Sequence, residues 1–576
     1  MCWDALKGVP YEVSLDSVSL DSVGDGLQAV PIEGLMQALT RPLAILILAS
    51  TTSTAAFAAS TSLVDAARRG DASAVRTMLA SQSVDVNAAA ADGSTALEWA
   101  VQRDDAQMVD ALIKAGANVR HTNPFGVQPV AIAAEKANAE VLRLLLSAGA
   151  DPNAGLSEGE TALMTAARTG TIAPIQLLLD HGAKVNTRDG RGQTALMWAA
   201  ARNNADAIRL LVKAGADINV RTNNPPRGRA AETTIFNSPA ATGFTAVLFA
   251  VRAGGIAATQ ALLDAGGDVN DKLSDGESAL VVATANAHWE LAGLLLDRGA
   301  DANASGAGWN ALHQTVHSRR PNLGYTPGPV ATGTLDSIEV VKKLIARGVN
   351  VNARMTKNGM KDGQRNRVNR LGATAFFLAA KNTDFEVMKL LADAGADGKI
   401  PSADGTTPLM VAAGLGMWYV GEDAGSLAGQ EDEVLAAVKL CVALGNDLNA
   451  ANLAKETPMH GAAFRGVNTV VEFLLEKGAQ IDPRDIRGWT PFTIANGISY
   501  GDVFKQQPQT AKLLSDLLHA RGLATDGQAA DGTECLDCIQ THEDQARAVL
   551  ERDKRMEAEF AKSEAARLAG TGGNKQ

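Results

Sequence analysis

A chain of 576 residues exceeds what one compact core accommodates, so it is either several domains or one quasi-linear array. An apolar content of 46% with only 4% aromatics and 55 glycines makes the interior mostly Ala, Leu and Val, which suits close helix-on-helix packing. The formal charge of −11 excludes a general nucleic-acid binder, which needs a dominant Lys/Arg face; the four cysteines, Cys2, Cys441, Cys535 and Cys538, are too few for a disulfide-built scaffold.

Residues 1–35 carry Asp4, Glu12, Asp16, Asp21, Asp25 and Glu33 against Lys7 alone. From Met36 the chain reads MQALTRPLAILILASTTSTAAFAAS: a positive charge at Arg41, an apolar run over residues 43–49, and small residues ending Ala56-Phe57-Ala58. That order is the order of a secretory signal with an A-x-A cleavage site. Its apolar core is much shorter than the roughly 20 residues of a membrane-spanning helix, so export and cleavage are expected rather than anchoring. The acidic residues 1–35 are the wrong charge for the leading region of such a signal, so translation is expected to begin at Met36. The mature chain would then start near Ala59, in the periplasm or outside the cell. The other reading packs residues 43–49 into a short N-terminal helix ahead of the repeats.

Over residues 59–523 the sequence is periodic. Gly116, Gly149, Gly182 and Gly215 follow at steps of 33, as do Gly266 to Gly299 and Gly445 to Gly478, a spacing that marks a stacked array. A Thr or Ser ahead of a short apolar stretch agrees, at Thr161 and Thr194, Thr245 and Ser278, Thr374 and Thr407, Thr457 and Thr490. In residues 160–192, ETALMTAARTGTIAPIQLLLDHGAKVNTRDGRG, Thr161 predicts the N-cap of an inner helix; Thr407-Pro408 and Thr457-Pro458 add proline at the first helical position. Gly170 permits the turn between helices, Ile175, Leu178 and Leu179 form the apolar stripe of the outer helix, and Gly182 ends it in the left-handed conformation. Asp189-Gly190, like Asp92-Gly93, Asp275-Gly276 and Asp404-Gly405, predicts a tight turn, so hairpin-like fingers link successive pairs.

T-A-L-M-x-A-A-x-x-G followed by L-L-L-x-x-G-A-x-V-N resembles the ankyrin repeat. The resemblance implies an all-α solenoid of about twelve helix-turn-helix units, with degenerate copies at Leu63-Val64-Asp65-Ala66-Ala67 and from Trp489. The long array behind a signal peptide, with the segments FTAVLFAVRAGG, TTPLMVAAGLG and HGAAFRG, resembles large exported ankyrin-repeat proteins of bacteria. It implies a scaffold for a protein partner, with no cofactor, no nucleic-acid ligand and no stable membrane insertion. The pattern itself places a histidine at His313 and His460 for local hydrogen bonding, and His181 sits where a cation favours a helix C-terminus. No G-x-S-x-G, H-E-x-x-H, phosphate-loop or kinase signature occurs, so no enzyme is expected.

Gly215 to Gly266, Gly299 to Gly348, Gly348 to Gly395 and Gly395 to Gly445 exceed 33. Residues 221–242 and 354–370 fall at finger positions; residues 319–334, 414–432 and 498–508 fall between the two helices of their own repeats and should emerge on the opposite edge. Three of the four tyrosines, Tyr325, Tyr419 and Tyr500, lie one in each of these last inserts, with Trp418 adjacent. Either they form a composite partner site, as rigid aromatics on loops often do, or each pins its own loop to the solenoid. The finger segment carries Arg354, Lys357, Lys361, Arg365, Arg367 and Arg370 against Asp362 alone, and is either a dock for an acidic partner or a solvated loop.

Residues 524–540 form a linker holding Cys535-Leu536-Asp537-Cys538, with His542 beyond. The C-x-x-C admits a local disulfide, a redox pair or half of a metal site; covalent haem would need His at 539, which is Ile. An alternative function follows, a redox- or metal-linked accessory acting through this pair while the repeats dock a client. Residues 541–569 predict a charged C-terminal helix, with Thr541 and Asp544 resembling a capping box and Val549, Met556 and Phe560 a thin apolar stripe. It caps the solenoid, self-associates or stands free. Residues 570–576 are expected to be disordered.

Overall fold

The computed structural model describes residues 62–81, 84–156, 158–223, 242–320, 329–358, 368–417, 429–500, 503–525, 558–560 and 562. Among these, twenty-four helices alternate as twelve pairs, each an inner helix followed by an outer one; repeat 1 is Leu63–Arg69 with Ala72–Ala80 and repeat 12 is Pro491–Asn496 with Pro508–Ala520. Inner helices stack on inner helices and outer on outer, so the apolar face of each pair is closed by its neighbours. The buried residues accordingly form one continuous strip from Leu63 to Leu518.

The caps explain where each helix begins and ends. In repeat 4, Ala162–Thr169 with Ile172–Asp180, the Thr161 hydroxyl accepts the Met164 N–H at 3.3 Å, satisfying a donor that the helix itself leaves free. Outer helices use Asp71, Asp105, Asn138 and Asp384 in the same way. Ile175 and Leu178 are fully buried, while Leu179 is half-buried at the margin of the stripe. Gly182 takes φ of +88° with open space where a side chain would start, so its requirement is conformational alone.

The finger turns correct one expectation. In residues 90–93, 273–276 and 402–405 the glycine is the fourth turn residue, with positive φ, and its N–H donates to the carbonyl of the first. In residues 189–192 that role falls to Gly192, at φ +77° and 2.9 Å from the Asp189 carbonyl, not to Gly190. Asp189 takes the first position because its carboxylate accepts the N–H groups of Arg191 and Gln193 at 2.9 and 2.7 Å, an arrangement that Asn123 and Asp485 repeat.

An asparagine four residues after the glycine that ends an outer helix clamps one repeat to the next. Asn153 donates through Nδ2 to the Gly182 carbonyl at 3.1 Å and accepts the Lys184 N–H at 2.8 Å; Asn186 does the same with Gly215 and Asp217 at 3.0 and 2.8 Å. The clamp survives two of the longer steps, where Asn303 bridges to Gly348 and Asn350 at 3.1 and 2.7 Å and Asn352 to Gly395 and Asp397 at 3.2 and 2.8 Å. Insertions therefore leave the stacking intact.

Two inserts lie in fingers: the Thr222 N–H meets the Phe244 carbonyl at 3.0 Å on either side of one, and the Met355 N–H meets the Ala373 carbonyl at 2.8 Å on either side of the other. The other three separate inner from outer helices, in repeat 8 (Ala311–Arg319 with Ser337–Ala346), repeat 10 (Pro408–Ala413 with Glu431–Ala443) and repeat 12. In repeat 12 the insert folds as an antiparallel hairpin, β1 (Ile498–Tyr500) with β2 (Val503–Lys505) and Tyr500 opposite Val503, an addition to the all-helical expectation.

Candidate partner-binding surface

From the finger at residues 156–159 onward, many neighbouring fingers are joined by their backbones. The Gly190 N–H donates to the Glu158 carbonyl at 2.7 Å, Ala403 to Leu371 at 2.6 Å, Leu453 to Asp404 at 2.8 Å and Ile486 to Ala454 at 3.0 Å. Arginines six residues after the helix-ending glycine add side-chain staples: Arg188 donates to the Arg221 carbonyl at 2.5 Å, Arg221 to the Gly243 and Lys272 carbonyls at 2.8 and 2.9 Å, and Arg354 to the Gly372 and Pro401 carbonyls, each at 2.9 Å. Each guanidinium thus ties its finger to the next.

Arg354 is therefore a half-buried staple, and its guanidinium also lies 4.8 Å from the centre of the Phe560 ring. Arg370 corrects the sequence reading more sharply: it is 1% exposed, with its N–H donated to Asn358 Oδ1 at 3.0 Å. The returning arm of the finger folds over its own base, burying Val368, Leu371 and Met355, and carries Arg370 in with it. Lys357 is exposed, its stem lying over Gly308 of the preceding finger, whose carbonyl accepts the Thr356 N–H at 2.8 Å. Lys361, Arg365, Arg367, Tyr325, Trp418, Tyr419, Cys535, Cys538 and the side chain of Tyr500 lie outside the described residues.

At the edge where the inserts of repeats 8 and 10 arise, charge replaces apolar packing. Arg319 donates to Asp384 at 2.8 Å, to Ser337 at 2.8 Å and to Glu386 at 2.9 Å, while Arg320 reaches Glu433 at 2.6 Å. Asp384 is fully buried and also caps the outer helix of repeat 9, Phe385–Asp393, so one carboxylate links two repeats. Beside it opens a cleft of about 570 Å³ lined by Trp289, Ser318, Arg319, Pro329, Gly333 and Asp336.

Sequence reasoning missed the apolar finger tips. Leu453 and Ile486, second turn residues of consecutive hydrogen-bonded fingers, are 74% and 63% exposed; Phe125, on a finger near the other end, is 75% exposed. The signal was present, since the second position in other fingers is Ala91, Pro124, Gly190, Ser274, Gly306 or Ala403, none of them a large aliphatic side chain. Leu453 and Ile486 stand out only once the turn register is known.

The family model for ankyrin repeats matches residues 63–155, 130–222, 247–355 and 330–420, more than half of the chain. The chain belongs to the ankyrin-repeat family. Ankyrin repeats generally mediate protein–protein interaction. Similar curated proteins include the human transient receptor potential cation channel subfamily A member 1, 26% identical over 251 residues, 42% of this chain and 18% of that protein. Others are the chicken nuclear factor NF-kappa-B p105 subunit, 31% identical over 27% of this chain and 13% of that protein, and the Arabidopsis thaliana serine/threonine-protein kinase 12, 36% identical over 12% and 15%. The chain thus spans less than a fifth of the length of each of these relatives. No helix among the described residues is long and apolar enough to cross a membrane.

The ankyrin histidines sit as the pattern requires. His460 accepts the Thr457 N–H through Nδ1 at 3.0 Å, which leaves Nε2–H to donate to the Trp489 carbonyl at 3.1 Å. His313, fully buried, places Nε2 3.1 Å from the Ala353 carbonyl, and burial lowers its pKa to about 4. Both join an ankyrin inner helix to the finger that follows. Burial also pushes the Cys441 thiol up, so this cysteine, inside the outer helix of repeat 10, behaves as a small apolar residue.

Proposed function

We propose that this chain is a protein-binding scaffold, holding a partner protein in the cell envelope or outside the cell, with no catalysis of its own. The observation that carries the reading is the pair Leu453 and Ile486, projected into solvent from two fingers whose backbones are hydrogen-bonded together. Large exposed apolar side chains on a rigid frame contribute to association because little conformational freedom is lost on binding. The location rests on the secretory pattern of residues 36–58 and on the resemblance to large exported bacterial ankyrin proteins. Tyr325, Trp418, Tyr419 and Tyr500 supply a second contact on the opposite edge, and Lys357, Lys361, Arg365 and Arg367 an electrostatic one.

The test compares capture of a defined partner by the intact chain, by a Leu453→Asp/Ile486→Asp double variant, by a Tyr325→Ala/Trp418→Ala/Tyr419→Ala/Tyr500→Ala variant, and by a chain lacking residues 524–576. Loss of about tenfold or more in affinity for the first two, with unchanged helical content, is the expected result. Loss only on deleting the tail would instead favour action through Cys535 and Cys538. N-terminal sequencing of the exported protein should begin near Ala59; a retained Met1 overturns the location.

A further inference from the structure

Phe560 is the one large apolar residue among the described C-terminal positions, and it is buried, at 7% exposure, although it lies beyond the last repeat in sequence. Its ring rests on the Arg354 guanidinium, 4.8 Å from centre to carbon, and beside Gly372, where a side-chain carbon would stand 3.0 Å from the ring. Arg354 and Gly372 belong to the finger between repeats 8 and 9, and Arg354 also reaches the Pro401 carbonyl of the next finger. The ring thus covers the junction of two fingers. Ala558, Glu559 and Lys562, described alongside it, are exposed, so among the described residues of the segment Phe560 alone is buried against the solenoid.

We propose that the C-terminal segment around Phe560 is an intrachain ligand of the finger row, covering in cis part of the surface on which the repeats hold a partner; this rests on the scaffold reading above. The contact has the form of a peptide anchor: an aromatic ring on a helical turn, placed over a guanidinium that is already fixed by two carbonyls. The charge compositions match as well: residues 556–564, MEAEFAKSE, carry three carboxylates and one lysine, and residues 354–370, apart from the stapling Arg354 and the buried Arg370, carry four cations and one carboxylate. Residues 526–557 reach roughly 100 Å when extended, and stacked repeats are about 10 Å apart, so the tether spans from repeat 12 to the fingers of repeats 8–10. Tethering holds the anchor at an effective concentration of about millimolar, so a modest contact keeps the junction occupied and a tighter partner displaces it.

Hydrogen exchange of the full chain tests the contact without any partner. Amides of residues 556–562 should be protected about tenfold or more relative to the Phe560→Ala variant, while fingers of repeats 2–4 exchange identically in both chains. Equal exchange of the segment in both chains overturns the proposal. A labelled peptide of residues 541–569 should bind the Phe560→Ala chain and be excluded from the wild-type chain at the same concentration; equal binding to both, or binding to neither, overturns the ligand role. Because Phe560 lies outside the repeats, the variant leaves the array folded. Neither readout depends on an outside partner, so failure of the scaffold reading and failure of this one are separable.

Discussion

Asn186 makes two inter-repeat hydrogen bonds with one carboxamide, and its loss leaves the Gly215 carbonyl and the Asp217 N–H unmatched in the protein. Asn186→Ala should cost about 1–2 kcal/mol in urea unfolding, whereas an exposed asparagine outside the clamp should cost almost nothing. Gly182→Ala should cost about 1–2 kcal/mol without any lost contact, because only the left-handed conformation is penalised. His313 sets a pH signature. Its folded pKa of about 4 lies below the unfolded value of 6.5, so between these values the unfolded chain binds more protons. The stability it supports is complete above about pH 6.5 and is lost as pH falls towards 4. A His313→Gln variant should therefore show a smaller drop in urea midpoint from pH 7 to 4.5 than the wild type; parallel curves would reject this. The threonine caps and the Nδ1 contacts of the histidines were legible because each acts within its own turn of helix, whereas the Nε2 contacts of His313 and His460 reach the next finger and were not. Arg354 and Arg370 were misread because a count of charges ignores register: Arg354 sits where Arg188 and Arg221 also sit, 33 residues apart, and Arg370 is drawn inward by apolar neighbours.

The helix pair is the next unit up, and its boundaries were readable in the sequence because caps, glycines and apolar stripes are local features. The hairpin of Ile498–Tyr500 with Val503–Lys505 was not, since a strand of three residues carries too little alternation to register. The finger turns were legible in position but not in register, because the sequence shows that Asp and Gly adjoin but not which carbonyl the glycine N–H meets. Leu178 is fully buried in the outer helix of repeat 4, and Leu178→Ala should cost about 2–5 kcal/mol. The loss should be local: hydrogen exchange should accelerate in repeats 3–5 and remain unchanged in repeats 8–12. Uniform acceleration along the whole chain would mean that the array unfolds as one unit rather than by neighbours.

At the scale of the molecule, twelve pairs stacked through inner helices, outer helices, asparagine clamps and finger hydrogen bonds make a frame whose surface is long compared with its thickness. The sequence revealed the frame through its period but not the surface, because exposure of Leu453 and Ile486 depends on how consecutive fingers lie against each other. If the segment around Phe560 covers part of that surface, a partner seated on the fingers of repeats 8–10 should bind Phe560→Ala severalfold more tightly than the wild type in calorimetric titration; equal affinity would confine the segment to a structural role. The measurement that bears most directly on the scaffold is the hydrogen-exchange footprint of a captured partner on the intact chain. The account predicts protection at the finger tips, residues 451–456 and 484–489 foremost, with the outer helices unchanged. Protection confined to residues 526–576, with every finger exchanging as in the unbound chain, would contradict it.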